Sequence, residues 1–254
     1  MYPVLFRFGS FEVTTFGVMV ALGALVGLWV FRRELAFSRL PDAAADAAVW
    51  GLIGGLAGAK LLWVAEHAGE QPLTALLFSR GGLSWYGGFI GGVGVGVAAL
   101  VFQRVPLVPA LSAATPALAI GHLLGRIGCF LVGDDYGRPS DLPWAVAFPD
   151  GLPPTTVPVH PTQIYEALFL GVLCWLLVRW RRAKVADLGV IGRYLALAGT
   201  ARFLIEFIRV NERVALGMTV AQYVALLLVV AGGLCIAVAP AGHAADAGDH
   251  AVRA

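Results

Sequence analysis

The chain has 254 residues, of which 59% are hydrophobic and 13% charged, whereas a soluble domain carries about 25% charged residues. That balance excludes a water-soluble core and places the chain among membrane proteins. A formal net charge of +2 supplies no bulk field for nucleic acid, so no nucleic-acid partner is expected.

Apolar runs long enough to cross the ~30 Å hydrocarbon layer as helix occur at Val13–Phe31, Ala43–Trp63, Tyr86–Val101, Leu107–Leu124, Pro161–Val178, Gly189–Phe207 and Met218–Ala239. The pattern predicts an all-α polytopic protein of about seven spans, the third and fourth short, forming a single transmembrane domain over residues 1–239. Met1–Ser10 lacks a basic segment followed by a short apolar one, so the first span is expected to stay in the protein. The basic clusters Arg32/Arg33/Arg39 and Arg179/Arg181/Arg182/Lys184, with Arg104, fall on one side if the spans alternate. The positive-inside rule makes that side cytoplasmic, with the N-terminus periplasmic and the C-terminus cytoplasmic. Arg80, Arg126, Arg138, Arg202, Arg209 and Arg213 lie toward the opposite side, a surplus that reads as site chemistry.

Along the chain, Gly51/Gly54/Gly55/Gly58 in the second span and Gly87/Gly88/Gly91/Gly92/Gly94/Gly96 in the third have the spacing that lets helix backbones approach closely in lipid. Lys60, late in the second span, suits either lipid-headgroup contact or snorkelling. The segment Glu66–Arg80 is too long for a simple turn, and GGLSWYGG follows at 81–88, with Tyr86 inside it. His122 in the fourth span reads as a buried donor to a neighbouring helix. The stretch GRIGCFLVGDDYGRPSDLPWAVAFP, residues 125–149, then sets charged groups beside the membrane, where an ion needs a partner, a pore or an anionic ligand. From about residue 129 to 160 the prolines predict a small structured cap, because irregular backbone at this depth must be protein-supported or wet.

HPTQIYEA at 160–167 puts Gln163, Tyr165 and Glu166 in a polar stripe at the head of the fifth span. Glu166 is costly there and requires Arg or His nearby. His160, just before Pro161, suits a structural hydrogen bond to the cap. RFLIEFIR at 202–209 places Arg202 and Glu206 at i, i+4 on one helix face, which Arg209 extends. The tail, residues 240–254, is rich in Ala, Gly, Asp and His and is predicted to be disordered, with His243 and His250 solvated. Cys129, Cys174 and Cys235 lack C-x-x-C spacing, so neither a metal site nor a disulfide framework is expected. No internal repeat is visible, and the inverted-repeat transporter pattern is unsupported.

Arg126 and Arg202 are the leading functional candidates. Both sit at span ends on the same predicted side, and guanidinium forks match phosphate oxygens bidentately. Glu206 could hold the Arg202 fork. Cys129 is better explained as a small packing residue than as a nucleophile.

These segments together resemble the prolipoprotein diacylglyceryl transferase family. Residues 125–149 resemble its defining block, GRIGNF-x-N-G-E-x-x-G-R-P followed by DLPW, and GGLSWYGG, HPTQIYEA and RFLIEFIR fall in the family's order. The resemblance runs from about Phe16 to Gln222. It implies a bacterial inner-membrane enzyme that moves diacylglyceryl from phosphatidylglycerol to the lipobox cysteine of a preprolipoprotein, with membrane lipid as its setting and no cofactor. It implies catalytic roles for Arg126, Arg202 and Glu206; Tyr86, at the family's histidine position, joins them as a catalytic candidate, and Arg126, Asp134, Gly137, Cys129, His160 and Lys60 are the candidate substrate contacts. The chain departs from the family pattern at four positions: Tyr86 replaces a histidine, Cys129 an asparagine, Phe16 a tyrosine and Asp134 a glutamate. With a free pKa of about 10, tyrosine is a poor resting base beside histidine at about 6.5, yet it can donate a hydrogen bond. The general base therefore stays open among His160, Glu206, Asp134 and phosphate itself. Two rival classes also stay open, a related phospholipid-dependent transferase with another acceptor and, more distantly, a transporter.

Overall fold

The computed structural model describes residues 3–9, 11–79 and 82–240. The expected tail, with His243 and His250, lies outside the described residues apart from Pro240, and so does Arg80. In chain order the elements are β1 (Val4–Phe8), β2 (Phe11–Thr14), α1 (Thr15–Phe37), α2 (Asp46–Glu66), α3 (Leu73–Phe78), α4 (Trp85–Phe102), α5 (Leu107–Val132), β3 (Val146–Phe148), β4 (Thr155–Val159), α6 (Thr162–Arg182), α7 (Asp187–Ile205) and α8 (Val220–Val238).

Every predicted span coincides with a helix, and six of these are long and apolar enough to cross a membrane. The third, α4, is shorter: its 18 residues rise about 27 Å at ~1.5 Å per residue. The protein is thus an all-α polytopic membrane protein, with two additions that its hydropathy hides. One small antiparallel hairpin, β1–β2, precedes α1 and another, β3–β4, lies between α5 and α6, and α3 occupies the segment after α2 that was expected only to exceed a turn.

Contacts group the chain into two compact units, the described residues of Met1–Gly27 with Thr115–Ala254, and Leu28–Ala114. In the second of these, α2 and α4 meet through glycines. A Cβ on Gly54 would stand 2.7 Å from the Gly91 carbonyl oxygen, one on Gly51 3.2 Å from that of Gly92, and one on Gly55 3.3 Å from that of Gly88. Close backbone approach replaces the hydrophobic drive that lipid removes.

The same device recurs in the larger unit. Gly192 packs on the Gly232 carbonyl and Gly199 on that of Ala225, where added Cβ atoms would stand at 2.7 and 2.8 Å, while Ala119, Leu173, Leu177 and Val190 form a buried core. Thr14 starts α1 by accepting from the Gly17 amide at 3.1 Å. Thr219 starts α8 with a capping box, accepting from the Gln222 amide at 3.2 Å while the Gln222 side chain accepts from the Thr219 amide at 3.0 Å.

Three helices end on a basic residue in the left-handed region, Arg39, Arg104 and Lys184, with φ of +54°, +55° and +55°. After each, the next amide bonds back five residues in the Schellman pattern: Leu40 to Leu35, Val105 to Leu100 and Val185 to Trp180. Glycine would relieve the backbone there, but a cation complements the negative end of the helix dipole.

The fourth span departs most from expectation. It was predicted to stop at Leu124 with the cap starting near residue 129, yet α5 continues to Val132 and carries both Arg126 and Cys129 within it. The stop is Gly133, at φ +73°, where the amides of Gly133 and Asp134 both bond the Cys129 carbonyl, at 2.9 and 3.1 Å. Charge does not end this helix, because the charged groups have partners.

Candidate active site

The cap, from Gly133 to Pro161, is pinned at one strand. The Gly137 amide donates to the His160 carbonyl at 2.9 Å, the His160 amide to the Arg138 carbonyl at 3.1 Å, and the Arg138 amide to the Ile208 carbonyl at 2.8 Å. Gly137 is required on steric grounds, since a Cβ would stand 2.7 Å from the Ile208 oxygen and 2.9 Å from the His160 Cβ. Behind it, Tyr136 stacks on buried Phe148 at 5.4 Å between centroids and donates to the Pro153 carbonyl at 2.7 Å. Of the predicted substrate contacts, Gly137 is therefore seen as a packing point.

This pinning brings α5, the cap, the head of α6 and the end of α7 around a cluster of three arginines and three carboxylates, all in the larger unit. Arg126 Nη1 reaches Asp135 Oδ2 at 2.8 Å, and its Nε reaches Glu166 Oε2 at 3.3 Å and His122 Nε2 at 3.3 Å. Arg202 Nη2 pairs with Glu206 Oε2 at 2.9 Å, and its Nη1 faces Glu166 Oε1 at 3.6 Å. Arg209 Nη2 holds Asp135 Oδ1 at 2.6 Å while its Nη1 donates to the Asp135 carbonyl at 2.9 Å. Asn211 Nδ2 donates to Glu206 Oε1 at 2.5 Å.

Opposite charges balance within the cluster, which is why so many ions tolerate this depth. The three carboxylates are not equivalent. Glu206 and Glu166 are buried, with side chains 0% and 8% exposed, whereas that of Asp135 is 43% exposed. Glu166 answers its predicted need for a cation with three of them, Arg209 Nη1 being the third at 3.9 Å. Burial pushes the Asp135 carboxyl up, but Arg209 and Arg126 outweigh it and hold the group below the usual carboxylate range. Its neighbour Asp134 is shifted the other way, chiefly by burial, above the ordinary value.

The predicted site residues therefore separate. Arg126, Arg202 and Glu206 come together as expected. Asp134 and Cys129 adjoin them, and with Asp135 they place a thiol and two carboxylates within 4.8 Å of one another. The Asp135 carboxylate there is already engaged by two arginines, so the chemistry of the set fits an ion-pair network better than a metal. His160 bonds the cap through its backbone, while its side-chain Nδ1 lies 3.4 Å from the Tyr165 hydroxyl of α6, which accepts from Trp144 Nε1 at 2.7 Å. Beside this chain, Phe130, Trp144, Val146, Pro161, Ile164 and Leu168 line an apolar groove of about 440 Å³.

Lys60 and Tyr86 belong to the other unit. There Lys60 Nζ donates to the Ser79 carbonyl and hydroxyl at 3.0 and 2.8 Å and sits 4.7 Å from the Trp63 ring centroid, while Tyr86 opens α4 with 42% exposure. His122 corrects the sequence reading, because it is exposed and accepts from Arg126 on its own helix instead of donating to a neighbour. Asp135 and Asn211 carried no sequence signal as site residues. Arg209 had one, three residues beyond Glu206 on the same turn.

Membrane-length helices whose ends bring together a balanced cluster of arginines and carboxylates define a multi-pass membrane protein with a charged site. The sequence profile described as prolipoprotein diacylglyceryl transferase matches residues 3–238. A phosphatidylglycerol–prolipoprotein diacylglyceryl transferase of Methylobacillus flagellatus is 32% identical, over 91% of this chain and 93% of that protein. Proteins of the same name from Geobacter sulfurreducens and Clostridium tetani are 32% and 30% identical, covering 82% and 91% of this chain and 82% and 95% of theirs. The chain belongs to the prolipoprotein diacylglyceryl transferase family.

Proposed function

We propose that this enzyme transfers the sn-1,2-diacylglyceryl group of phosphatidylglycerol to the lipobox cysteine of a preprolipoprotein, the first step of lipoprotein maturation. A carbon–sulfur bond forms at the glycerol carbon as its bond to the phosphate oxygen breaks. The electron pair leaves on glycerol phosphate, and the thiol proton passes to a base. The observation that carries this reading is the arginine cluster at the converging helix ends, in a family whose named members act on phosphatidylglycerol and prolipoprotein.

Preorganised cations where negative charge gathers are the largest contribution a protein can make to such a departure. Arg126 and Arg202 take that role, and Glu166 and Glu206 hold their forks in place. Glu206 is already tied to Arg202 and Asn211, which makes it a poor proton acceptor. Asp134 is the better base: its carboxyl is raised by burial, nearer the range in which proton transfer is efficient. The apolar groove beside Tyr165 gives an acyl chain a place to lie. The cluster faces the periplasm from the bacterial inner membrane, the N-terminus outside and the C-terminus inside, a placement that the basic helix ends at Arg39, Arg104 and Lys184 support through the positive-inside rule.

Thioether formation on a lipobox peptide by wild type, Tyr86→Phe and Tyr86→His tests the reading. Slower transfer by the Phe variant and restored or raised transfer by the His variant fit a tyrosine that only donates a hydrogen bond. No transfer by any of the three, with folded protein and phosphatidylglycerol present, would exclude the lipobox acceptor and favour a transferase with another one.

A further inference from the structure

We infer that Asp135 is a placeholder for the substrate phosphate, a carboxylate that occupies the Arg126 and Arg209 forks and must swing out for the lipid headgroup to bind. The inference rests on the reading that Arg126 binds phosphate. Its ground is a contrast among the three carboxylates. Each oxygen of Asp135 takes one guanidinium, Oδ2 from Arg126 at 2.8 Å and Oδ1 from Arg209 at 2.6 Å. Two oxygens of a phosphate have nearly the same separation and the same preference for N–H forks.

Glu166 and Glu206 cannot serve as the exchangeable anion. Moving either would strip a buried charge of its arginines, and Glu206 has no exposed side-chain surface at all. Asp135 is the one exposed carboxylate of the cluster, so it can be exchanged without stranding a buried ion. Its backbone supports the same role. Asp135 stands at φ +60°, and its carbonyl is fixed by Arg209 Nη1 at 2.9 Å and Thr162 Oγ1 at 2.7 Å. Its side chain can therefore leave while the cap stays anchored. Arg209 then becomes a third phosphate ligand, released by the same movement.

An internal anion that competes with the substrate sets affinity against selectivity. Weak anions cannot displace it, and product glycerol phosphate meets the same competitor as it leaves. Removing the charge must tighten anion binding.

The test compares wild type with Asp135→Asn and Asp135→Gly, both of which tolerate positive φ and retain the carbonyl. Competitive inhibition by glycerol phosphate and the KM for phosphatidylglycerol are measured with the intact protein in phosphatidylglycerol vesicles. The inhibition constant should fall about fivefold to tenfold in both variants, and KM should fall with it. A rise in either constant would make Asp135 an orienting support for the forks, and unchanged constants would make it a bystander; both overturn the placeholder role. Direct binding of glycerol phosphate to Arg126→Ala, measured by calorimetry because that variant has no transfer to inhibit, separates the two levels. If binding is lost there while the Asp135 variants change nothing, only the placeholder fails. If binding survives Arg126→Ala, the phosphate reading itself fails.

Discussion

Replacing Glu166 by glutamine probes the feature that holds the site together. The carboxylate lies 3.3 Å from Arg126, 3.6 Å from Arg202 and 3.9 Å from Arg209, and with it the cluster's three positive charges face three negative ones. Glutamine keeps the shape and one acceptor but leaves the cluster one charge in excess. Removing one partner of a buried pair costs about 3–5 kcal/mol. The exposed edges of Arg126 and Arg202 and the surviving acceptor reduce this to about 2–3 kcal/mol. Such a loss lowers the thermal midpoint by roughly 5–10 °C, read by heat inactivation of purified protein at one fixed scan rate so that variants compare even where unfolding is irreversible. Activity at low temperature should fall as well, since the Arg126 and Arg202 forks lose their common reference point. A Glu166→Gln protein as heat-resistant and as active as wild type would refute the view that this carboxylate organises the arginines.

Three other outcomes follow from the same geometry. Arg126→Lys and Arg202→Lys should each reduce transfer roughly 100-fold or more, nearly as far as alanine does, because an ammonium cannot reproduce a fork; near-normal rates in steady-state assays would reduce the role to bare charge. Gly137→Ala forces a Cβ to within 2.7 Å of the Ile208 oxygen and should cost about 1–3 kcal/mol of stability, seen as earlier proteolysis of the cap. Asp134 carries a folded-state pKa above its unfolded value, so its ionised form strains the fold above that pKa and the strain disappears as pH falls below the unfolded value. Asp134→Asn should therefore raise the thermal midpoint at pH 7 with a gain that vanishes below about pH 4, while transfer activity drops if Asp134 takes the thiol proton. Midpoints measured across that pH range, with no gain at neutrality, would contradict the sign.

Hydropathy was enough to place every long helix, because lipid leaves the chain few ways to satisfy its backbone. It misjudged α5, since a sliding apolar reading treats Arg126 as an end, whereas a charge with an assured partner can stay within the helix until Gly133 stops it. The site was legible where residues share one element, as with Arg202 and Glu206 at i, i+4. It was half-legible at Glu166, whose cost demanded a cation without saying which. Asp135 was invisible, because its place depends on a left-handed backbone turn and on an arginine 74 residues away, neither of which periodicity records.

The most direct measurement uses phosphatidylglycerol labelled in its headgroup glycerol, a lipobox peptide and the purified protein. One diacylglyceryl thioether should form on the cysteine for each labelled glycerol phosphate released, and both products should be lost together in Arg126→Ala. Release of glycerol phosphate without thioether, or no reaction by folded protein, would contradict the proposed transfer.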